Sequence, residues 1–132
     1  RVHTLFPERA EPLVNFGYLA DAYGDWKKAV AYYARAIEVW PYTREAYIDI
    51  ALAYEKHGLY PLAQAALLKG IAVAPDDGRL HVLLGEAYEA QGHREDAIAQ
   101  YKIAEASLDP DIARLSQERF AQLEGAKPKP QR

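Results

Sequence analysis

Residues 44–77 read REAYIDIALAYEKHGLYPLAQAALLKGIAVAPDD, and residues 78–111 read GRLHVLLGEAYEAQGHREDAIAQYKIAEASLDPD. The second stretch repeats the first at a spacing of 34 residues. Tyr54 and Tyr88 share a column, as do Gly58 and Gly92, and Ala63 and Ala97. The same step backwards reaches a third copy over 10–43, with Gly24 and Ala29 in those columns and Ala20 in place of the tyrosine. Three further columns are small or large throughout: Gly17, Ala51 and Gly85; Ala36, Gly70 and Ala104; Tyr33, Leu67 and Tyr101. Phe16, Ile50 and Leu84 form a large column just before the first of these. Pro7, Pro41 and Pro75 keep the period, and Pro110 falls one residue late. Self-similarity at a fixed period of this size marks a stacked array of supersecondary units.

Each copy holds two helical stretches. The first is expected over 12–23, 44–57 and 78–91, the second over 26–39, 60–73 and 94–107. Gly24, Gly58 and Gly92 separate them, because glycine enters the left-handed region that ends a helix at little cost. Asp25 suits the N-cap before Trp26, and Pro61 is tolerated at the start of its helix. The column prolines stop each second helix. Gly17 and Gly85 fall inside first helices, where glycine costs about 1 kcal/mol relative to alanine. Close approach of the paired helix, with the large column filling the space beside it, is expected to offset that cost.

The pattern resembles the tetratricopeptide repeat family. The likeness rests on Leu13, Phe16, Gly17, Gly24, Ala29, Tyr33, Ala36 and Pro41 in the first copy. It rests on Ile50, Ala51, Tyr54, Gly58, Tyr60, Ala63 and Pro75 in the second, and on Leu84, Gly85, Tyr88, Gly92, Ala97, Tyr101 and Ala104 in the third. Three copies in register cover 102 residues. Ala20, Leu67 and Gly70 depart from the family's usual packing residues. Sel1-like repeats run longer per copy, and pentatricopeptide arrays bind single-stranded RNA with basic residues that this chain lacks on the corresponding face. The resemblance implies an all-α fold: an α-solenoid, a right-handed superhelix of three helix-turn-helix repeats at 10–43, 44–77 and 78–111, closed by a C-terminal capping helix at 112–125. It also implies a concave face, lined mainly by the first helices, that binds a peptide or a partner helix.

The ends differ from the array. Asp109 can cap a last helix beginning at Pro110, with Ile112, Leu115, Phe120 and Leu123 near one face and Arg114, Gln117, Glu118, Gln122 and Glu124 on the other. A polar outer face ends such an array without exposing apolar surface. The tail 126–132, polar, basic and proline-containing, is expected to be disordered. The lead-in 1–9 reads as the remnant of a preceding repeat, which leaves the first repeat with an unprotected apolar edge that could pair with a second copy.

Composition narrows the function classes. The chain has 132 residues, enough for one ordinary domain. Its 24 alanines and 10 tyrosines stand against 3 phenylalanines, and much of that excess lies in the packing columns. A formal charge of −3 argues against a non-specific nucleic-acid binder. The absence of cysteine excludes disulfides, zinc-thiolate sites and thiol nucleophiles. No apolar run approaches the roughly 18 residues that span a bilayer, so no membrane insertion is expected. The chain starts at Arg1 and has no methionine, so it reads as a processed piece whose targeting segment has been removed, with a soluble cytoplasmic setting as the default.

His3, His57, His81 and His93 are scattered and lack the i, i+4 spacing of a helical metal motif. His81 lies in the column of Leu13 and Tyr47, where packing is expected. Asp76-Asp77-Gly78 lacks the ligand spacing of a calcium loop. Ser107 and Ser116 lack a nucleophile elbow. No catalytic residue, metal or cofactor is therefore expected, and the chain is read as a non-enzyme.

The face implied by the resemblance is lined here by Glu11, Val14, Asn15, Tyr18 and Asp21 in the first copy. The second contributes Glu45, Ile48, Asp49, Leu52, Glu55 and Lys56, and the third Arg79, Val82, Leu83, Glu86 and Glu89. Seven of these are acidic and two basic, and most of the rest are apolar or aromatic. Such a groove favours a protein or peptide carrying basic residues among apolar anchors. Family members that hold acidic chaperone tails use a clamp of Lys, Asn and Arg. The matching positions here are Val14, Tyr18, Asp49, Arg79 and Leu83, of which only Arg79 is a cation, so an acidic C-terminal tail is not the expected ligand. The expected function is a scaffold or adaptor module for protein–protein interaction. The alternatives are a self-assembly unit that oligomerises by repeat stacking, and a regulatory appendage of an enzyme outside this chain.

Overall fold

Gly24, Gly58 and Gly92 all adopt the left-handed backbone expected of a helix terminator, with φ of 83°, 73° and 82°. They divide a computed structural model that describes residues 10–125 and is helical throughout its regular structure. The lead-in 1–9 and the tail 126–132 lie outside the described residues. Among the described residues seven helices follow in order: α1 Glu11–Ala22, α2 Trp26–Val39, α3 Arg44–Lys56, α4 Tyr60–Val73, α5 Gly78–Ala90, α6 Arg94–Ala104 and α7 Pro110–Gly125. Among the described residues there is no strand, and the fold is an all-α helical repeat. The chain divides into two compact units, Arg1–Pro75 and Asp76–Arg132.

In the first unit α1 packs on α2, α2 on α3, and α3 on α4. The Asp25 side chain caps α2, accepting from the backbone N–H of Lys28 at 3.2 Å. Pro61 falls at the second position of α4, after Tyr60, where its missing N–H is still no loss. The core joins Val14, Ala20, Ala29, Tyr33, Ala36, Ala46 and Ile50. The small column does the work expected of it: a Cβ on Gly17 would collide with the ring of Tyr33.

One expected packing position is exposed instead. Ile50 on α3 is 7% exposed, whereas its counterpart Phe16 on α1 is 49% exposed. The side of α3 that carries Ile50 and Ala46 packs into the core beside α2, and no described helix covers the same side of α1. Leu19, one turn further along α1, and Tyr23, just past its end, are exposed with it.

In the second unit α6 packs on α5, and α7 packs on α6 and α5. Asp77 caps α5 through the N–H of Arg79 at 3.0 Å. Asp109 caps α7, accepting from the N–H of Asp111 at 2.9 Å. Ile112, Leu115, Phe120 and Leu123 of α7 turn inward onto the cluster of Val82, Ala97, Tyr101 and Ala104. His81 is 6% exposed, with Nδ1 2.7 Å from Oε1 of Gln100, so it is a packed and hydrogen-bonded side chain. Helix α6 ends at Ala104, three residues before the expected Ser107. The chain turns through Ser107, whose Oγ accepts from the N–H of Asp109 at 3.1 Å.

Candidate interaction site

In the first unit, α1 and α3 bring together Tyr18, Asp21, Glu45 and Asp49, four of the residues expected to line the binding face. Gly17 allows the arrangement, because it lets the ring of Tyr33 lie against α1, where the Tyr18 and Tyr33 centroids are 6.0 Å apart and edge-on. Burial, a hydrogen bond to the Asp49 carboxylate, and the charges of Asp49 and Glu45 together push the Tyr18 phenol up to about 12. Burial and the nearby Asp49 and Asp21 charges also push the Tyr33 phenol up. Burial is the larger cause of both shifts, and the part that the carboxylates add reflects a locally negative field. Lys56 answers part of it, with Nζ 3.5 Å from Oδ2 of Asp21. Both groups reach solvent, so that pair is weak.

Beside this cluster lies a cleft of about 620 Å³. Glu11, Val14, Asn15, Tyr18 and Glu45, all among the residues expected on the binding face, line it together with Ala10, Trp40, Tyr42, Thr43 and Arg44. Trp40, Tyr42 and Thr43 belong to the α2–α3 connection, and Arg44 opens α3. They escaped a reading that counted only outward positions of first helices. A signal was there: residues 40–43 carry two aromatic rings, where the next connection reads Ala74-Pro75-Asp76-Asp77. The connection is firmly held, since Tyr47 donates its hydroxyl proton to the carbonyl of Pro41 at 2.9 Å and the Thr43 N–H bonds to the Trp40 carbonyl at 3.1 Å.

Not every expected residue offers surface. Val14, Ile48 and Val82, one column of the repeat, are all buried, because that column faces the packed interior rather than the solvent. Val14 reaches only the floor of the cleft. Leu52 is exposed on α3, and Glu55 is half-buried.

The second unit carries its own acidic pair. Tyr101 donates its hydroxyl proton to Oε1 of Glu89 at 2.6 Å. Arg119 of α7 reaches Oε2 of Glu86 at 2.8 Å. Burial holds the Glu86 carboxyl above its ordinary value, Arg119 pulls it down and Glu89 pushes it up. Arg79 is tied down by Asp77, with Nη2 3.1 Å from Oδ2. Leu83 is half-buried. Neither Arg119 nor Tyr101 was among the expected site residues. Among the described residues no group of three or more His, Asp or Glu side chains could hold a metal ion, and no helix is long and apolar enough to cross a membrane.

Paired helices, glycine-ended and repeating every 34 residues, define the chain as an α-helical repeat protein. It belongs to the tetratricopeptide repeat family, whose profile matches residues 14–63 and 48–112. The chain is 36% identical over 73 residues to a UDP-N-acetylglucosamine–peptide N-acetylglucosaminyltransferase of Giardia intestinalis. That match takes in 55% of this chain and 5% of the relative's length. Among solved structures it is similar to the TPR2B domain of yeast Sti1 in a complex with pHsp70, with a TM-score of 0.82, 22% identity, and 91% of this chain and 99% of that one covered. It is also similar to the first such domain of Spaghetti (RPAP3) bound to the HSP90 peptide SRMEEVD, with a TM-score of 0.81, 18% identity, and 90% and 95% covered. At these identities the likeness speaks for the fold.

Proposed function

We propose that the chain is a protein-interaction module, a scaffold or adaptor element, that binds a peptide or partner helix carrying basic residues among apolar ones. The observation that carries this reading is the negative field at the α1–α3 face of the first unit, where Asp21, Glu45 and Asp49 surround two raised tyrosines. Exposed Tyr18 and Leu52 supply apolar contact beside those charges. The ionisable groups there are joined as phenol–carboxylate and ammonium–carboxylate pairs, an arrangement suited to recognising charge, so binding rather than catalysis is the reading. A structural neighbour named for a bound peptide, and another named for a complex with pHsp70, support a peptide or protein as the ligand class. The peptide SRMEEVD named for one of them, with its two Glu and one Asp, is a poor match here, because Asp49 would repel a carboxylate.

The test is calorimetric titration of the chain with a short basic–apolar peptide and with an acidic one of equal length. The basic peptide is expected to bind, more weakly at higher salt, and Asp49→Lys to weaken it at least tenfold. Preference for the acidic peptide, or indifference to Asp49→Lys and to salt, would overturn the reading. A second reading, self-association, is favoured by the exposed Phe16 and Leu19 on α1 and Tyr23 at its end.

A further inference from the structure

We infer that the cleft at the α2–α3 corner of the first unit is a receptor for one basic side chain, an ammonium or guanidinium, of the bound peptide. The inference rests on the peptide-binding reading above and adds the place and the chemistry of an anchor. The cleft, about 620 Å³ and open to solvent, is of the size of small-molecule sites and has room for a long side chain. Its floor, Ala10 and Val14, is apolar and buried, suited to the methylene stem of a long side chain.

Its walls are aromatic. The Trp40 and Tyr42 rings lie 5.4 Å apart at 65°, forming a corner, and Tyr18 lines the same cleft. Ring faces are negative and attract a cation placed over them. Tyr42 is 66% exposed, so the corner is open to an incoming group. Glu11 and Glu45 stand in the same lining against one cation, Arg44. Two carboxylates and three rings thus share the lining with a single guanidinium, and the lining stays net negative. The rings belong to this connection alone among the two that join repeats, since residues 74–77 carry none.

The chain has two tryptophans, so Trp26→Phe leaves Trp40 as the only indole reporter. That variant is titrated with acetylated Gly-Leu-Lys-Leu-Gly amide and with its arginine and norleucine counterparts, by Trp40 emission and by calorimetry. The lysine and arginine peptides are expected to shift Trp40 emission and to bind about fivefold tighter than the norleucine peptide. Tyr42→Ala is expected to remove that preference, and Tyr42→Phe, which keeps the ring, to retain it. Heat of binding without a change at Trp40, or equal affinity for norleucine, overturns the anchor and leaves the peptide-binding reading standing. No binding by either readout overturns both.

Discussion

The ring of Tyr101 on α6 lies so close to the backbone of Gly85 on α5 that a Cβ built on the glycine would fall 2.5 Å from its Cε1. Tyr101 is fully buried, and its hydroxyl reaches out to Glu89. The phenol thus crosses the helix pair over a gap that only glycine leaves open. Alanine at Gly85 would gain about 1 kcal/mol in helix propensity. It would also force the ring to move in a packed core, which costs about 1–3 kcal/mol. Gly85→Ala is therefore expected to be destabilising in urea unfolding through the displaced ring, whereas Ala51→Gly, where Leu67 stands in the ring's column, is destabilising through lost helix propensity and a lost buried methyl. Equal or greater stability of Gly85→Ala would show that the ring yields freely.

The tyrosines predict an alkaline limit to stability. Tyr18 is pushed up to about 12 from an unfolded value of 10, and Tyr33, Tyr47 and Tyr101 are raised as well. A group raised in the folded state contributes stability that is fully present below its unfolded value and is lost as pH rises towards the folded value. The melting temperature is expected to fall between about pH 10 and 12, with the fall shallower in Tyr18→Phe. Absorbance of tyrosinate at alkaline pH should show a group of phenols titrating only after the others. A single transition at the ordinary value for all ten would contradict it.

The helix ends and the matched small and large columns were legible because each follows from backbone sterics or from one helix touching its own partner. Gly24, Gly58 and Gly92 mark termini wherever they fall, and Gly17 and Gly85 answer Tyr33 and Tyr101 within one pair. The early end of α6 was less legible, because Ser107 diverts the chain by a local hydrogen bond that competes with the helix. Phe16 could not be read from its column, since its burial depends on a neighbouring helix rather than on its own sequence. The cleft was half legible for the same reason. Glu11, Tyr18 and Glu45 follow helical periodicity, but where the rings of Trp40 and Tyr42 point is set by the connection's path, which no period encodes.

Arg119 and Glu86 give a test at the second unit. Burial raises the Glu86 carboxyl, and Arg119 counters that rise. Arg119→Ala removes the counterweight, so the carboxyl should titrate at higher pH still, as followed by carbon NMR. A raised carboxyl contributes stability below its unfolded value and loses it as pH rises through the folded value. The variant should therefore lose more stability at pH 7, where Glu86 must ionise, than at pH 4, where the proton stays. The same loss at both would mean that Arg119 acts through packing alone.

The exposed side of α1 predicts self-association. Phe16 and Leu19 are 49% and 55% exposed, while their α3 counterparts Ile50 and Ala53 are 7% and 6% exposed. The Phe16 ring lies 5.5 Å from that of Tyr32 of α2, tilted by 39°, so the patch runs across two helices. Tyr23, 86% exposed, extends it along α1. An apolar surface rich in aromatic rings is the composition of an interface core, and leaving it in water forgoes roughly 25 cal/mol for each Å² that a partner would cover. Leucine stands at 19 where α3 has alanine, so this side is broader than the one that receives α2 and suits a partner held further off. The expected outcome is a concentration-dependent dimer in light scattering. Leu19→Glu should abolish it while leaving helicity and binding of the basic peptide unchanged, because the α1–α3 face lies on other residues of the helix. A monomer at every concentration, or a dimer that survives Leu19→Glu, would remove α1 as the contact.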